Sequence, residues 1–122
     1  MVMRGEQYLN RPKQYELVYE KGGSVANEYL VLRFLANGLT LSRYGFSVSR
    51  RVGKAVIRNR IKRLLREILR VLALKPGFDM VFIVRQKAAT LNYWELKKAV
   101  EGLLSRAQLL EKEDEKLSLK AD

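Results

Sequence analysis

Apolar and polar positions change period several times along this chain, and each change marks an element. Tyr15, Val18 and Tyr19 fall at i, i+3 and i+4, one face of a helix. Pro12 suits the first turn, where a missing N–H costs nothing, and Gly22-Gly23 closes the element, so a helix is predicted from about Pro12 to Lys21. Tyr29 to Leu35 alternates as a strand, with Leu30, Leu32 and Phe34 on one face and Tyr29, Val31 and Arg33 on the other. Asn37-Gly38 signals a turn. Tyr44 to Ser49 alternates again: Tyr44, Phe46 and Val48 are apolar, while Gly45, Ser47 and Ser49 form a side of small residues.

The period then lengthens. From Lys54 to about Leu74, Ile57, Ile61, Leu64, Leu65, Ile68 and Leu72 form one helical stripe, with Arg58, Asn59, Lys62, Arg63, Arg66 and Arg70 on the other side. Pro76-Gly77 stops that helix. Phe78 to Val84 is apolar on both faces, as a central strand would be. Asn92 opens a last helix, with Glu95 three residues on as a capping box and Leu96, Val100, Leu103, Leu104 and Ala107 as its apolar face. The order is helix, strand, strand, helix, strand, helix, with a short extra strand near 24–26. This is an α+β domain, a mixed sheet of three to four strands packed with helices. Residues 1–9 read as an extended arm, residues 1–110 as one domain, and residues 111–122 as a charged, frayed tail. No internal repeat interrupts this order.

Charge changes the picture from a fold to a partner. The chain has 122 residues, 24 Lys and Arg against 13 Asp and Glu, and a net charge of +11. The tail carries a local net of −2, leaving +13 on the first 110 residues. A domain this basic favours a polyanion, with nucleic acid first and an anionic membrane surface second. The focus is Arg50, Arg51, Lys54, Arg58, Arg60, Lys62, Arg63 and Arg66, eight cations in seventeen positions with no acid among them. A solvated face interleaves acids with bases at i, i+4, whereas here Arg58, Lys62 and Arg66 stack at that spacing and destabilise an isolated helix. Gly53 lets backbone approach a ligand, and the helix start offers N–H groups to a phosphate. Tyr15 and Tyr19 are open to two readings, core packing or a platform for unpaired bases; Tyr29, Val31, Arg33, Ser47 and Ser49 would floor the same groove.

The chain contains neither Cys nor His. Thiol nucleophiles, His-based triads and Cys- or His-ligated metals are therefore excluded. Asp79 stands isolated in an apolar strand, and no carboxylate pair suits a metal for hydrolysis. Gly45 to Ser49 is not a G-x-S-x-G elbow, because its last position is Ser and no His exists as base. The longest interior apolar run, Met80 to Val84, is far short of the roughly 20 residues a spanning helix needs. The first residues lack the apolar stretch of a secretory signal. A cytoplasmic location is expected.

The run Gly45-Phe46-Ser47-Val48-Ser49-Arg50-Arg51-Val52-Gly53-Lys54-Ala55-Val56-Ile57-Arg58-Asn59-Arg60-Ile61-Lys62-Arg63-Leu64-Leu65-Arg66-Glu67 resembles the signature of the bacterial ribonuclease P protein subunit, centred on Arg58-Asn59-Arg60. The resemblance spans roughly residues 8–110. It implies an auxiliary subunit of the endoribonuclease that removes the 5′ leader of precursor tRNA. Catalysis and the Mg²⁺ ions are then expected in the RNA, with no metal and no catalytic residue in the protein. It implies that Arg50, Arg51, Lys54, Arg58, Asn59, Arg60, Lys62, Arg63 and Arg66 contact the catalytic RNA. Tyr15, Tyr19, Val31 and Arg33, with Ser47 and Ser49, would line the leader cleft. The partners implied are the catalytic RNA and precursor tRNA, with no membrane and no protein partner. The family fold also implies a left-handed β-α-β crossover through the basic helix. Four positions depart from the pattern. Tyr15 and Tyr19 replace common Phe; Arg33 stands where some members carry an aromatic, which implies a phosphate contact; Lys54 replaces an Asn. A structural RNA-binding protein of the ribosomal type would share the basic helix without needing the groove.

Overall fold

The computed structural model describes residues 7–111. Three helices and four strands follow in the expected order: α1 (Pro12–Lys21), β1 (Gly23–Ala26), β2 (Leu30–Ala36), β3 (Arg43–Ser47), α2 (Ala55–Val71), β4 (Phe78–Val84) and α3 (Tyr93–Arg106). Two short 3₁₀ turns, Arg50–Val52 and Gln86–Thr90, flank α2 and β4. The strands form one mixed sheet in the order β1-β2-β4-β3. β2 pairs antiparallel with β1 and β4, while β3 lies parallel to β4. A parallel neighbour cannot be reached by a hairpin, so α2 carries the chain from β3 to β4.

The strand alternation sorts side chains onto two faces. Leu30, Leu32, Tyr44, Met80, Phe82 and Val84 pack with α2 and α3 into the main core. Burying each large apolar side chain there contributes about 1.5–3 kcal/mol. The opposite face takes α1, where Leu9, Val18 and Val81 form a smaller core with Tyr15, Leu35 and Ile83 against it. β4 is covered on both sides, which explains its unbroken apolar run.

The helix starts and stops follow local chemistry. The capping box of α3 is formed: Glu95 N–H donates to the Asn92 side chain at 2.9 Å, and Asn92 N–H to the Glu95 carboxylate at 2.9 Å. Gln14 accepts the Asn10 and Arg11 N–H groups ahead of α1.

Three expectations are corrected. α2 ends at Val71, short of Leu74, because the following residues pair elsewhere. Glu111 N–H donates to the Ala73 carbonyl and Lys75 N–H to the Leu109 carbonyl, both at 2.8 Å. Leu69 belongs to the buried stripe of α2, although the sequence reading omitted it. Asp79 is not isolated: it is buried and accepts two bonds from Arg43, at 2.8 and 2.7 Å, and one from Asn37 at 2.9 Å. A carboxylate beneath α1 is tolerable only with such pairing, and the same bonds hold the Arg43 pKa above its ordinary value. Of the expected arm, residues 8 and 9 run beside β3, with Leu9 N–H on the Tyr44 carbonyl at 2.8 Å. Glu111, the first residue of the expected frayed tail, is instead held by its bond to Ala73; residues 112–122 of that tail and residues 1–6 of the expected arm lie outside the described residues.

Candidate nucleic-acid interface

Strand register assembles the groove from residues far apart in sequence. Partners on adjacent strands share a face. One row reads Ser24, Arg33, Val81 and Gly45; the next reads Ala26, Val31, Ile83 and Ser47. Both rows lie on the α1 side. α1 crosses the first row: Val18 meets Val81 in the smaller core, and Tyr15 packs over Gly45. A Cβ at Gly45 would stand 2.5 Å from the Tyr15 hydroxyl and 2.7 Å from its ring, so glycine there is what lets the ring approach the strand. The second row carries Ile83 at its centre and small side chains at both edges. Tyr29, expected on this floor, lies just before β2 and packs against the main core instead.

The two tyrosines play different parts. Tyr15 is half-buried, its hydroxyl donating to the Leu9 carbonyl at 3.3 Å. Burial, with a smaller effect from Tyr19, pushes that hydroxyl's pKa up. Tyr19 is 38% exposed, and its ring centre lies 6.4 Å from that of Tyr15, tilted by 52°. Core packing and an open aromatic edge, alternatives in the sequence, thus fall to Tyr15 and Tyr19 respectively. Arg33 is tethered: its guanidinium donates to the Tyr19 carbonyl, in the last turn of α1. A cation at a helix C-terminus is favourable. The structure therefore gives the guanidinium a partner within the fold, where the sequence implied a phosphate.

Ser47 closes β3, and the chain runs through exposed Ser49 directly into the basic segment. Arg50, Arg51, Lys54, Asn59 and Arg63 are exposed, while Arg58, Arg60, Lys62 and Arg66 are intermediate. Two of these cations serve the fold. Arg58 Nε donates to the Gly53 carbonyl at 3.1 Å, and the Arg60 guanidinium to the Leu91 carbonyl. Gly53 holds φ 156° and ψ −173°, and a Cβ there would lie 2.9 Å from Ile57 Cδ1. The turn itself requires glycine. Among the described residues the ion pairs are Arg43–Asp79 and Lys87–Glu28. None of the basic-segment cations is neutralised there, which leaves Arg50, Arg51, Lys54, Lys62, Arg63 and Arg66 as an uncompensated field.

The family model described as Ribonuclease P matches residues 3–108. The chain belongs to the ribonuclease P protein family. It is 48% identical over 120 residues, 98% of this chain and 100% of the other, to the ribonuclease P protein component of Dehalococcoides mccartyi. The corresponding protein of Caldanaerobacter subterraneus is 41% identical over 108 residues, 87% of this chain and 93% of that one. The fold is similar to the ribonuclease P proteins of Staphylococcus aureus and Thermotoga maritima. For the first the TM-score is 0.79 at 30% identity, over 86% of this chain and 98% of that one. For the second it is 0.70 at 34% identity, over 87% and 96%.

Two residues of this ribonuclease P protein join the groove without having been singled out from sequence. Ile83 centres its floor. Arg85 is exposed at the end of β4, where its N–H continues the ladder to the Tyr29 carbonyl at 2.9 Å. Alternation from Val81 through Ile83 to Arg85 was the available signal, masked because β4 is apolar on both faces. No helix among the described residues is long and apolar enough to cross a membrane. No group of three or more acidic side chains comes together among the described residues, and Asp79 is committed to Arg43 and Asn37.

Proposed function

We propose that this ribonuclease P protein binds the catalytic RNA through the uncompensated cations of the Arg50–Arg66 segment and holds the 5′ leader of precursor tRNA along the Val31–Ile83–Ser47 row beneath Tyr19. The observation that carries this reading is the continuity of β3. Its small-residue face ends the groove at Ser47 and Ser49, and the next residues are the first cations of the basic segment. A single strand lying on the floor would leave the groove where the second RNA is held. Unpaired bases suit the Tyr19 edge, since every base has a π-face, and the small side chains of the floor leave room for a backbone.

In this reading the protein positions substrate and RNA, and bond cleavage belongs to the RNA with its Mg²⁺ ions. The chain supports that division with a groove rich in donors and poor in acids. A cytoplasmic location is part of the same proposal.

The test compares binding of precursor and mature tRNA, each with the catalytic RNA present. Lys62→Ala and Arg63→Ala should weaken assembly with the catalytic RNA, flattening log K against log salt by about 0.7–0.9 each. These two are preferred over Arg58 and Arg60, which hold carbonyls of the fold. Tyr19→Ala should lower affinity for precursor about 5- to 150-fold per lost stack, leaving mature tRNA unaffected and the thermal midpoint near wild type. Equal losses for precursor and product would remove the leader from this groove. Undiminished assembly of the Lys62 and Arg63 variants would remove the catalytic RNA from α2, as neither the ribonuclease P reading nor a purely structural RNA-binding role allows.

A further inference from the structure

Trp94 is the single tryptophan of the chain and is 70% exposed. It is a large amphipathic ring left in water, the kind of side chain that gains most from being covered. Its position follows from the periodicity of α3. Leu96, Ala99, Val100, Leu103 and Leu104 are buried against the sheet and α2. At about 100° per residue Trp94 then points to the opposite, outward side.

Tertiary contacts bring the start of α3 next to the basic segment. The Arg60 guanidinium donates to the carbonyl of Leu91, two residues before α3 begins. Gln86 Nε2 donates to the Arg51 carbonyl at 3.2 Å, joining the turn before α3 to the loop before α2. Both helices lie on one face of the sheet, so the outer surface of α2 continues onto the first turn of α3.

The surroundings of the ring match a nucleotide. Lys97 Nζ sits over the indole, 5.5 Å from its centre, and the Tyr93 ring stands perpendicular to it with centres 4.9 Å apart. Lys98 is exposed on the same side of the helix. The nearby acids are accounted for. The Glu95 carboxylate turns back to the Asn92 N–H and Glu28 pairs with Lys87 at 3.2 Å; Glu101, one turn beyond Lys97 and Lys98, forms an ion pair with neither. The ring thus lies beside a cation able to meet a phosphate, and at 70% exposure it remains open to a planar partner.

We propose that Trp94 is a second aromatic contact for RNA: it stacks on an unpaired base of the catalytic RNA, with Lys97 and Lys98 taking the adjoining phosphates. The proposal rests on the assignment of the catalytic RNA to α2 and extends that interface across α3. It is separate from the leader groove, which lies on the other face of the sheet. Charge complementarity favours RNA over a protein: the adjoining surface of α2 is a field of cations with no acid paired to them among the described residues.

Because Trp94 is the only tryptophan, its fluorescence reports its own contact. Titration of the full chain with ribonuclease P RNA should quench the emission, whereas precursor tRNA alone should leave it nearly unchanged. Trp94→Ala should weaken the complex with the catalytic RNA about 5- to 150-fold. Trp94→Phe should recover part of that loss and Trp94→Leu almost none, since stacking needs a π-face. The thermal midpoint of all three should stay near wild type, as expected of an exposed site. Unquenched emission together with a Trp94→Ala affinity within twofold of wild type would overturn the proposal. If Lys62→Ala and Arg63→Ala still weakened assembly in that event, the α2 interface would stand alone. A dimer in sedimentation that Trp94→Ala splits into monomers would also overturn it, by making the ring a contact between copies of the chain.

Discussion

Arg33 provides the sharpest test of the difference between a cation that holds the fold and one that holds RNA. Its guanidinium donates to the Tyr19 carbonyl, and its Nε is buried with no hydrogen-bond partner. A hydrogen bond to a charged group contributes about 1.5–3 kcal/mol, more than a neutral pair. Arg33→Met keeps the aliphatic stem over the sheet and deletes the donors. At about 4 °C per kcal/mol for a domain of this size, the thermal midpoint followed by circular dichroism should fall by up to roughly 12 °C, the loss being reduced because the variant also removes the buried, unpaired Nε. The last turn of α1, with Tyr19, would lose its tie to β2, so precursor affinity measured below the new midpoint should also fall. Its salt dependence should not change, because no phosphate contact is lost. Arg85→Ala is the matched control: an exposed cation at the end of the floor, whose loss should leave the midpoint unchanged and flatten the salt slope by about 0.7 for a single strand. If Arg33→Met kept the wild-type midpoint and flattened the slope instead, the guanidinium would be on a phosphate and the tether would be wrong.

Two further outcomes follow from burial and backbone geometry. Burial, with a smaller effect from Tyr8, pushes the Tyr44 hydroxyl up to about 12 from an ordinary 10. The folded state therefore keeps the neutral form longer, a contribution present in full below pH 10 and lost as pH rises toward 12. It amounts to about 2–3 kcal/mol. Alkaline unfolding monitored with tyrosinate absorbance should begin in that window, and Tyr44→Phe should shift it upward; an unshifted transition would place the ionisation elsewhere. Gly53→Ala puts a Cβ against Ile57 and forces a backbone conformation essentially restricted to glycine. A loss of about 1–3 kcal/mol in denaturant unfolding is expected, and no loss would mean that the turn before α2 readjusts freely.

Local pattern alone determined a large part of this protein. The 3.6-residue stripe of α2, the Asn92–Glu95 cap of α3, and the span of α1 and of β4 depend on neighbours a few residues apart, and the sequence reading placed them within a residue or two. The concentration of cations between Arg50 and Arg66, and the motif centred on Arg58-Asn59-Arg60, are likewise properties of one contiguous segment. That is why the family resemblance was legible before the fold.

Which cations are tied within the fold is decided only in three dimensions. Arg33 reaches a carbonyl 14 residues away, Arg60 one 31 away, and Arg43 a carboxylate 36 away. Side-chain type does not say which arginines will find such partners and which will stay unpaired. The same holds for the end of α2, where pairing of residues 73–75 with 109–111 overrides helical periodicity. It holds equally for the groove, because Val31, Ile83 and Ser47 become neighbours only through the register of three strands. Register and long-range pairing are set by packing two layers of helices on one sheet, and no window of sequence contains that information.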